Sequence, residues 1–108
     1  MDRDYLVELA EARQVLGAGN IGRARTCARR AAGMVLRAAI GVGPSPACYA
    51  PTFILALHKL ASDAAYPPAV REAAGRLVDR SKPDRTSASQ NPVQDAEIIL
   101  KYFGFPLS

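Results

Sequence analysis

The chain is poor in the residues that most often carry catalysis or hold a metal ion. Its 108 residues include one histidine, two cysteines and no tryptophan. Two cysteines make neither a disulfide framework nor a metal site. We expect Cys27 and Cys48 to be free thiols, although the sequence leaves a bridge between them open. No Glu-x-x-His pair, phosphate-binding loop or serine-nucleophile elbow is present. The sequence therefore predicts a protein that is not an enzyme and holds no metal or cofactor.

Long apolar runs are missing as well. No segment approaches the roughly 20 apolar residues that a membrane span requires. The first residues, Asp2, Arg3 and Asp4, lack the basic start and apolar block of a secretory signal. We therefore expect no membrane association and a location in the reducing cytoplasm.

Acidic residues are absent from a long central stretch. There is none between Glu11 and Asp63, and residues 12–62 carry seven basic residues, although the whole chain has a net charge of only +4. Such a distribution is typical of a surface that binds a polyanion, or of a basic helix that an acidic neighbour attracts within the fold. The sequence leaves both interpretations open.

The stretch VLGAGNIGRA, residues 15–24, has the glycine spacing of a dinucleotide-binding loop. Such a loop must follow a buried strand, and a carboxylate should come about 20 residues later. The preceding residues have helical spacing, and the carboxylate is missing. We interpret the glycines as a corner between two helices. Gly17 and Gly19 would adopt left-handed geometry, and Asn20 would cap the second helix.

Apolar residues recur at three- and four-residue spacing and predict five helices. The first predicted helix runs from Asp2 or Asp4 to Leu16, and the second runs from Asn20 to about Ile40. The third starts between Ser45 and Pro51, and the fourth starts at Pro67 or Pro68. The fifth runs from Asn91 to Gly104. A mobile polar loop is expected at about 81–91. No strand is predicted. The expected fold is therefore all-α, a single up-and-down helical bundle of about five helices that spans residues 1–108.

The second predicted helix combines an apolar stripe with basic residues. The stripe consists of Ala24, Ala28, Ala31, Val35 and Ala38. Small alanines there would let another helix approach closely. Leu36 and Ile40 lie on a different flank, which predicts that this helix is central in its bundle or part of a dimer interface.

Arginines form two rows on the same helix. Arg23, Arg30 and Arg37 recur every seven residues and share one row, whereas Arg25 and Arg29 form another. They either flank the apolar stripe with their head groups in water, or contact phosphates, whose oxygens match the guanidinium donors. The candidate phosphate- or nucleotide-binding residues are Arg23, Arg30, Arg37, Arg25, Arg29 and, in the polar loop, Lys82 and Arg85.

Other candidate sites are weaker. Glu8 and Glu11, three residues apart, suit a solvated helix face or a salt bridge to the basic helix. His58 has no carboxylate or thiol within one turn to orient it, so we do not expect it to be a catalyst. Tyr102 and Phe103 are the only adjacent aromatic pair, which argues against stacking on a single-stranded nucleic acid.

Three segments resemble HEPN domains, the nucleotide-binding helical bundles of higher eukaryotes and prokaryotes. They are LAEARQVLGAGNIGRARTCARRAAGMVLRAAI, TFILALHKLASD and QDAEIILKYFGF. The resemblance implies an up-and-down bundle, often a homodimer, that is often paired with a minimal nucleotidyltransferase. Ribonuclease members carry an arginine and a histidine near the last helix. Here Arg80 and Arg85 are present without a histidine, so the resemblance does not extend to RNA cleavage.

We therefore expect a non-enzymatic HEPN-like module that binds a nucleotide or a partner protein such as a minimal nucleotidyltransferase. The alternative is an RNA-binding protein that uses the basic second helix, with an affinity that falls steeply as salt rises. A third possibility is a purely structural subunit that binds neither ligand and associates with an acidic protein.

Overall fold

Five helices make up most of the residues that the computed structural model describes, which are 4–79 and 91–108. They are α1 (Tyr5–Gly17), α2 (Ile21–Ile40), α3 (Phe53–Ser62), α4 (Pro68–Val78) and α5 (Pro92–Tyr102). Within those residues there is no strand, and one isolated bridge joins Val42 to Ala50 in the loop after α2. The predicted all-α bundle is confirmed. The expected loop at 81–91, with Lys82 and Arg85, lies outside the described residues except for Asn91.

Side-chain caps fix where most of these helices begin, because each supplies an acceptor to a backbone N–H that has no partner inside the helix. The pairs are Asp4 with Val7 N, Asn20 with Arg23 N, Thr52 with Leu55 N, and Asn91 with Gln94 N. The predicted start of α3 between Ser45 and Pro51 is wrong. Cys48 N donates instead to Ser45 O and closes a turn, so the helix begins only after Thr52.

The glycines at residues 17–22 form a helical corner, as predicted. Residues 5–17 are helical, so no strand precedes the glycines. Gly19 alone of the three has a positive φ, 86°, and it directly precedes the Asn20 cap. The expectation of left-handed geometry at Gly17 is wrong, because Gly17 completes the last turn of α1. The chain thus reverses over three residues, and α1 packs along α2.

The second helix is the centre of the bundle. It contacts every other helix, and Ala28, Ala31, Ala32 and Leu36 are fully buried. The sequence left open whether the apolar flank at Leu36 marks a central helix or a dimer interface. The fold shows that α2 is central and that Leu36 is buried within the bundle. Ala38 was predicted in the buried stripe but is exposed together with its neighbours at 37 and 39, because it lies at the edge of that stripe on the helical wheel. None of the helices in the described parts of the chain is long and apolar enough to cross a bilayer.

Close approach between α2 and α3 depends on Gly33. A Cβ atom at this position would lie 2.3 Å from Cγ of Phe53. We expect Gly33→Ala to lower the free energy of unfolding by about 1–3 kcal/mol, because the Phe53 ring must move out of its packing site. The loss should occur although alanine favours a helix over glycine by about 1 kcal/mol. Urea denaturation measures it.

Gly75 provides the matched control for that substitution. A Cβ atom there meets Cβ of Ala61 at 3.6 Å, an ordinary contact. Gly75→Ala should therefore keep or raise the stability, by up to about 1 kcal/mol. Equal stability of the two variants would contradict the packing argument at Gly33.

Candidate functional site

The central helix exposes two arginines that no acidic residue in the described part of the chain neutralises. Arg30 and Arg37 lie at the surface, and neither forms an ion pair with a carboxylate of the described residues. Cζ of Arg37 lies 5.6 Å from the centre of the Phe53 ring, a distance at which the ring attracts the cation. The ring therefore positions this guanidinium group at the surface, beside the first residue of α3.

Arg23, the third member of the predicted row, is partly neutralised. Its Nη2 lies 2.7 Å from Oε1 of Glu11 on α1, and most of its side chain is still exposed. The hydrogen bond and the charge of Glu11 raise the pKa of Arg23. The predicted salt bridge between the acidic first helix and the basic second helix is thus present. It leaves part of the Arg23 head group accessible to a ligand.

The second predicted row, Arg25 and Arg29, is half-buried in the fold. Nε of Arg29 donates a hydrogen bond to the carbonyl oxygen of Leu77, in the last turn of α4. A cation at a helix C-terminus is favourable, because the last carbonyls carry partial negative charge. Arg25 is half-buried, and its Nε is buried without a hydrogen-bond acceptor. Arg29 thus links α2 to α4, and both residues are less exposed than Arg30 and Arg37.

A partly buried polar cluster lies between α1 and α2 and consists of Glu8, Glu11 and Cys27. Glu8 is buried, so the expectation of a solvated face is wrong for this residue. Burial raises the pKa of the Cys27 thiol, and the charges of Glu11 and Glu8 raise it further. The bridge that the sequence left open is not formed, because Cys27 and Cys48 are both free.

The donor atoms of that cluster lie within 4.8 Å of one another, and carboxylates with a thiolate are ligands that zinc accepts. A metal would need the thiolate form of Cys27, which its surroundings disfavour. The Arg23 guanidinium already carries a positive charge at Glu11. We therefore assign the cluster to the contact between α1 and α2 and not to a metal.

Four rings that are distant in sequence meet at one end of the bundle, and we call Tyr49, Tyr66, Tyr102 and Phe103 the aromatic cluster. Tyr66 is its centre, with ring centroids 6.3 Å from Tyr49 and 5.8 Å from both Tyr102 and Phe103. The sequence indicated only the Tyr102–Phe103 pair. Tyr49 and Tyr66 come from loops whose positions the helix pattern does not determine. Of the four rings, only that of Tyr102 is exposed.

Polar contacts hold Tyr49 in this cluster. Its hydroxyl donates to Oδ2 of Asp63 at 2.7 Å, and Nζ of Lys59 lies 4.2 Å from its ring centre. Burial and the Asp63 carboxylate raise the pKa of Tyr49 above its usual value. Hydrogen bonds from Ala65 N and from the Tyr49 hydroxyl lower the pKa of Asp63. Burial likewise raises the pKa of Tyr66.

A surface groove and the histidine are two other candidate features, and we do not assign either of them to the site at the arginines of α2. A shallow groove of about 360 Å³ between α3 and α4 contains none of the α2 arginines among its lining residues, which are Ala61, Pro68, Arg71, Glu72 and Gly75. His58 is exposed on α3 and has no hydrogen bond or ion pair with the described residues. Nothing orients it as a general base.

Together these observations define a small all-α bundle whose central helix carries exposed arginines. No protein-family model, curated protein or solved structure matches this chain.

Proposed function

We propose that this chain is a non-enzymatic, HEPN-like helical module that binds single-stranded RNA through the arginine row of α2. The observation that carries the proposal is the pair of exposed residues Arg30 and Arg37, which have no acidic partner in the described structure. Guanidinium groups match phosphate oxygens in a forked hydrogen-bond geometry. Arg23 adds a third, partly neutralised group to the row. A reducing cytoplasm suits both this ligand and the two free thiols.

The length of the row favours a strand over a mononucleotide. Seven residues of α-helix rise about 10 Å, so the backbones at Arg23 and Arg37 are about 21 Å apart. The phosphates of one nucleotide are joined through single bridging oxygens and are too close together to span such a row. Successive phosphates of a strand can follow it. Contacts of α2 with the other four helices fix the position of its backbone in the bundle, which favours a preformed row of arginines over an adaptable one.

Binding without cleavage agrees with the side chains that are present. The resemblance to HEPN domains does not extend to their arginine–histidine nuclease motif, and the single histidine, His58, is exposed without an orienting partner among residues 4–79 and 91–108. The resemblance also leads us to expect a homodimer, which light scattering would measure. A minimal nucleotidyltransferase as the partner of the basic face is the competing outcome of the experiment below.

The test uses a labelled oligouridylate and a variant in which Arg23, Arg30 and Arg37 are all replaced by glutamine. Affinity should fall about tenfold or more, because charged hydrogen bonds to phosphate are lost. The slope of log affinity against log salt should become shallower by about 0.7 for each phosphate contact removed. Fluorescence anisotropy between about 50 and 200 mM salt measures both quantities.

The matched control is Arg30→Lys with Arg37→Lys, which keeps both charges. The salt slope of this control should stay near that of the original protein, with a smaller loss of affinity, because lysine lacks the forked geometry. Circular dichroism checks that all variants remain helical. If the original protein bound no RNA, but bound ATP or a nucleotidyltransferase through the same arginines, the RNA proposal would be wrong.

A further inference from the structure

Tyr102 is an aromatic residue that the fold holds at the surface. It ends α5, and 45% of its surface is exposed. Its ring centroid lies 5.0 Å from that of Phe103 and 5.8 Å from that of Tyr66, with interplanar angles of 83° and 77°. Both ring pairs are therefore close to perpendicular, and part of the Tyr102 surface stays open to solvent.

Those neighbours are themselves anchored. Tyr66, Phe103 and Tyr49 are half-buried and pack against the hydrophobic core. The ring of Tyr102 is thus supported by rings that cannot move freely. A supported ring loses little conformational entropy when a flat ligand stacks on it, because a tyrosine side chain has few rotatable bonds.

The aromatic cluster is connected to the arginine row through α3. Arg37 contacts Phe53 at the start of this helix, and Lys59 contacts Tyr49 near its end. Six residues separate Phe53 from Lys59, a rise of about 9 Å along the helix axis. Arg37 therefore lies beside the first residue of α3, and Lys59 lies near its last turn, in contact with the aromatic cluster.

We propose that Tyr102 is a stacking site for an unpaired base of the RNA strand whose phosphates contact the arginine row. This inference rests on the proposed function and specifies the ligand, because stacking requires a base whose face is free. Single-stranded nucleic acids are commonly bound by a basic track together with aromatic side chains, on which bases of any sequence can stack. Lys59 adds positive charge beside the cluster for the backbone of the same strand.

The experiment compares Tyr102→Ala with Tyr102→Phe and with Val7→Ala, using an oligouridylate that contains one 2-aminopurine. Val7 is as exposed as Tyr102, at 45%, but lies on α1 and carries no ring. Tyr102→Ala should weaken binding by between about fivefold and a hundredfold, the usual effect of losing one stacked base. Tyr102→Phe keeps the ring and should therefore keep most of the affinity of the original protein. Val7→Ala should bind RNA as tightly as the original protein does.

Two further readouts separate stacking from charge. The salt slope should be the same for Tyr102→Ala as for the original protein, because no phosphate contact is removed. Binding should quench 2-aminopurine emission, and Tyr102→Ala should reduce this quenching. Because the chain has no tryptophan, its own tyrosine emission reports stacking from the protein side.

Each outcome decides a different statement. Salt-dependent RNA binding that Tyr102→Ala leaves unchanged in affinity and quenching would overturn the stacking site and keep the proposed function. An original protein that binds no RNA would overturn both. If Tyr102→Ala changed the oligomeric state in light scattering but not RNA binding, the ring would belong to a protein interface and the stacking site would be wrong.

Discussion

Leu36→Ala is expected to lower the free energy of unfolding by about 3 kcal/mol, within the range of about 2–5 kcal/mol for fully buried leucines. Leu36 lies on the flank of α2 away from the main alanine stripe, and it has no exposed surface. On a peripheral helix this flank would face solvent and the substitution would cost little. On the central helix it removes apolar contacts and leaves a cavity, because the surrounding structure relaxes only partly into the space. Urea denaturation followed by circular dichroism gives the difference.

Leu55→Ala is the matched control, because it makes the same chemical change on a neighbouring helix. Leu55 lies on α3 with 48% of its surface exposed. Its replacement should cost no more than about 0.5 kcal/mol, as is usual for surface positions. Total stability for a chain of this size is only about 5–15 kcal/mol, so a loss of 3 kcal/mol is readily measured. Similar losses for the two variants would contradict the central position of α2.

The beginnings of the helices could be predicted from the sequence because the signals that set them are local. Asn20 and Asn91 each accept a hydrogen bond from the backbone N–H three residues later, and this spacing is visible without a structure. The start of α3 was missed because several residues between 45 and 52 can cap or begin a helix. The turn at Ser45–Cys48 and the bridge from Val42 to Ala50 decide among them.

The burial of Glu8 agrees with its position in the helical pattern of α1 but not with its charge. Glu8 follows Tyr5 by three residues and precedes Ala12 by four, so it lies within the apolar stripe of α1. A carboxylate usually stays in water, so this position alone does not predict its burial. The contact with Cys27 on α2 depends on how the two helices pack, which periodicity alone does not determine.

The roles of the arginines could be predicted only in part. The heptad spacing correctly separates two rows, and in the structure one row is more exposed than the other. Which row is used inside the fold depends on the position of α4, because Arg29 donates to Leu77 O, 48 residues away in sequence. The aromatic cluster depends in the same way on loops and on the end of α5. Contacts of this kind come from tertiary structure, and a single sequence carries little signal for them.

Asp95→Ala is expected to lower the free energy of unfolding by about 2–3 kcal/mol, because it breaks the ion pair that joins α4 to α5. Oδ1 of Asp95 accepts hydrogen bonds from Nε and Nη2 of Arg76 at 3.0 and 2.7 Å. The Asp95 side chain is only 6% exposed, whereas that of Arg76 is 36% exposed. Water can therefore solvate part of the abandoned guanidinium, which keeps the loss below that of a fully buried pair. The hydrogen bond from Arg76 to Asp95 also raises the pKa of Arg76.

Glu97→Ala on the same helix separates this effect from a general loss of charge. Glu97 pairs with Arg13 at 2.9 Å, but both side chains are substantially exposed, so its removal should cost no more than about 1 kcal/mol. A double-mutant cycle with Arg76→Ala and Asp95→Ala then isolates the pair, and we expect a coupling free energy of about 1–3 kcal/mol. Additive losses in that cycle would mean that Asp95 stabilises the fold through contacts other than Arg76. The link between α4 and α5 would then depend on their apolar faces, with Val70, Leu77 and Ile99 buried in the same core.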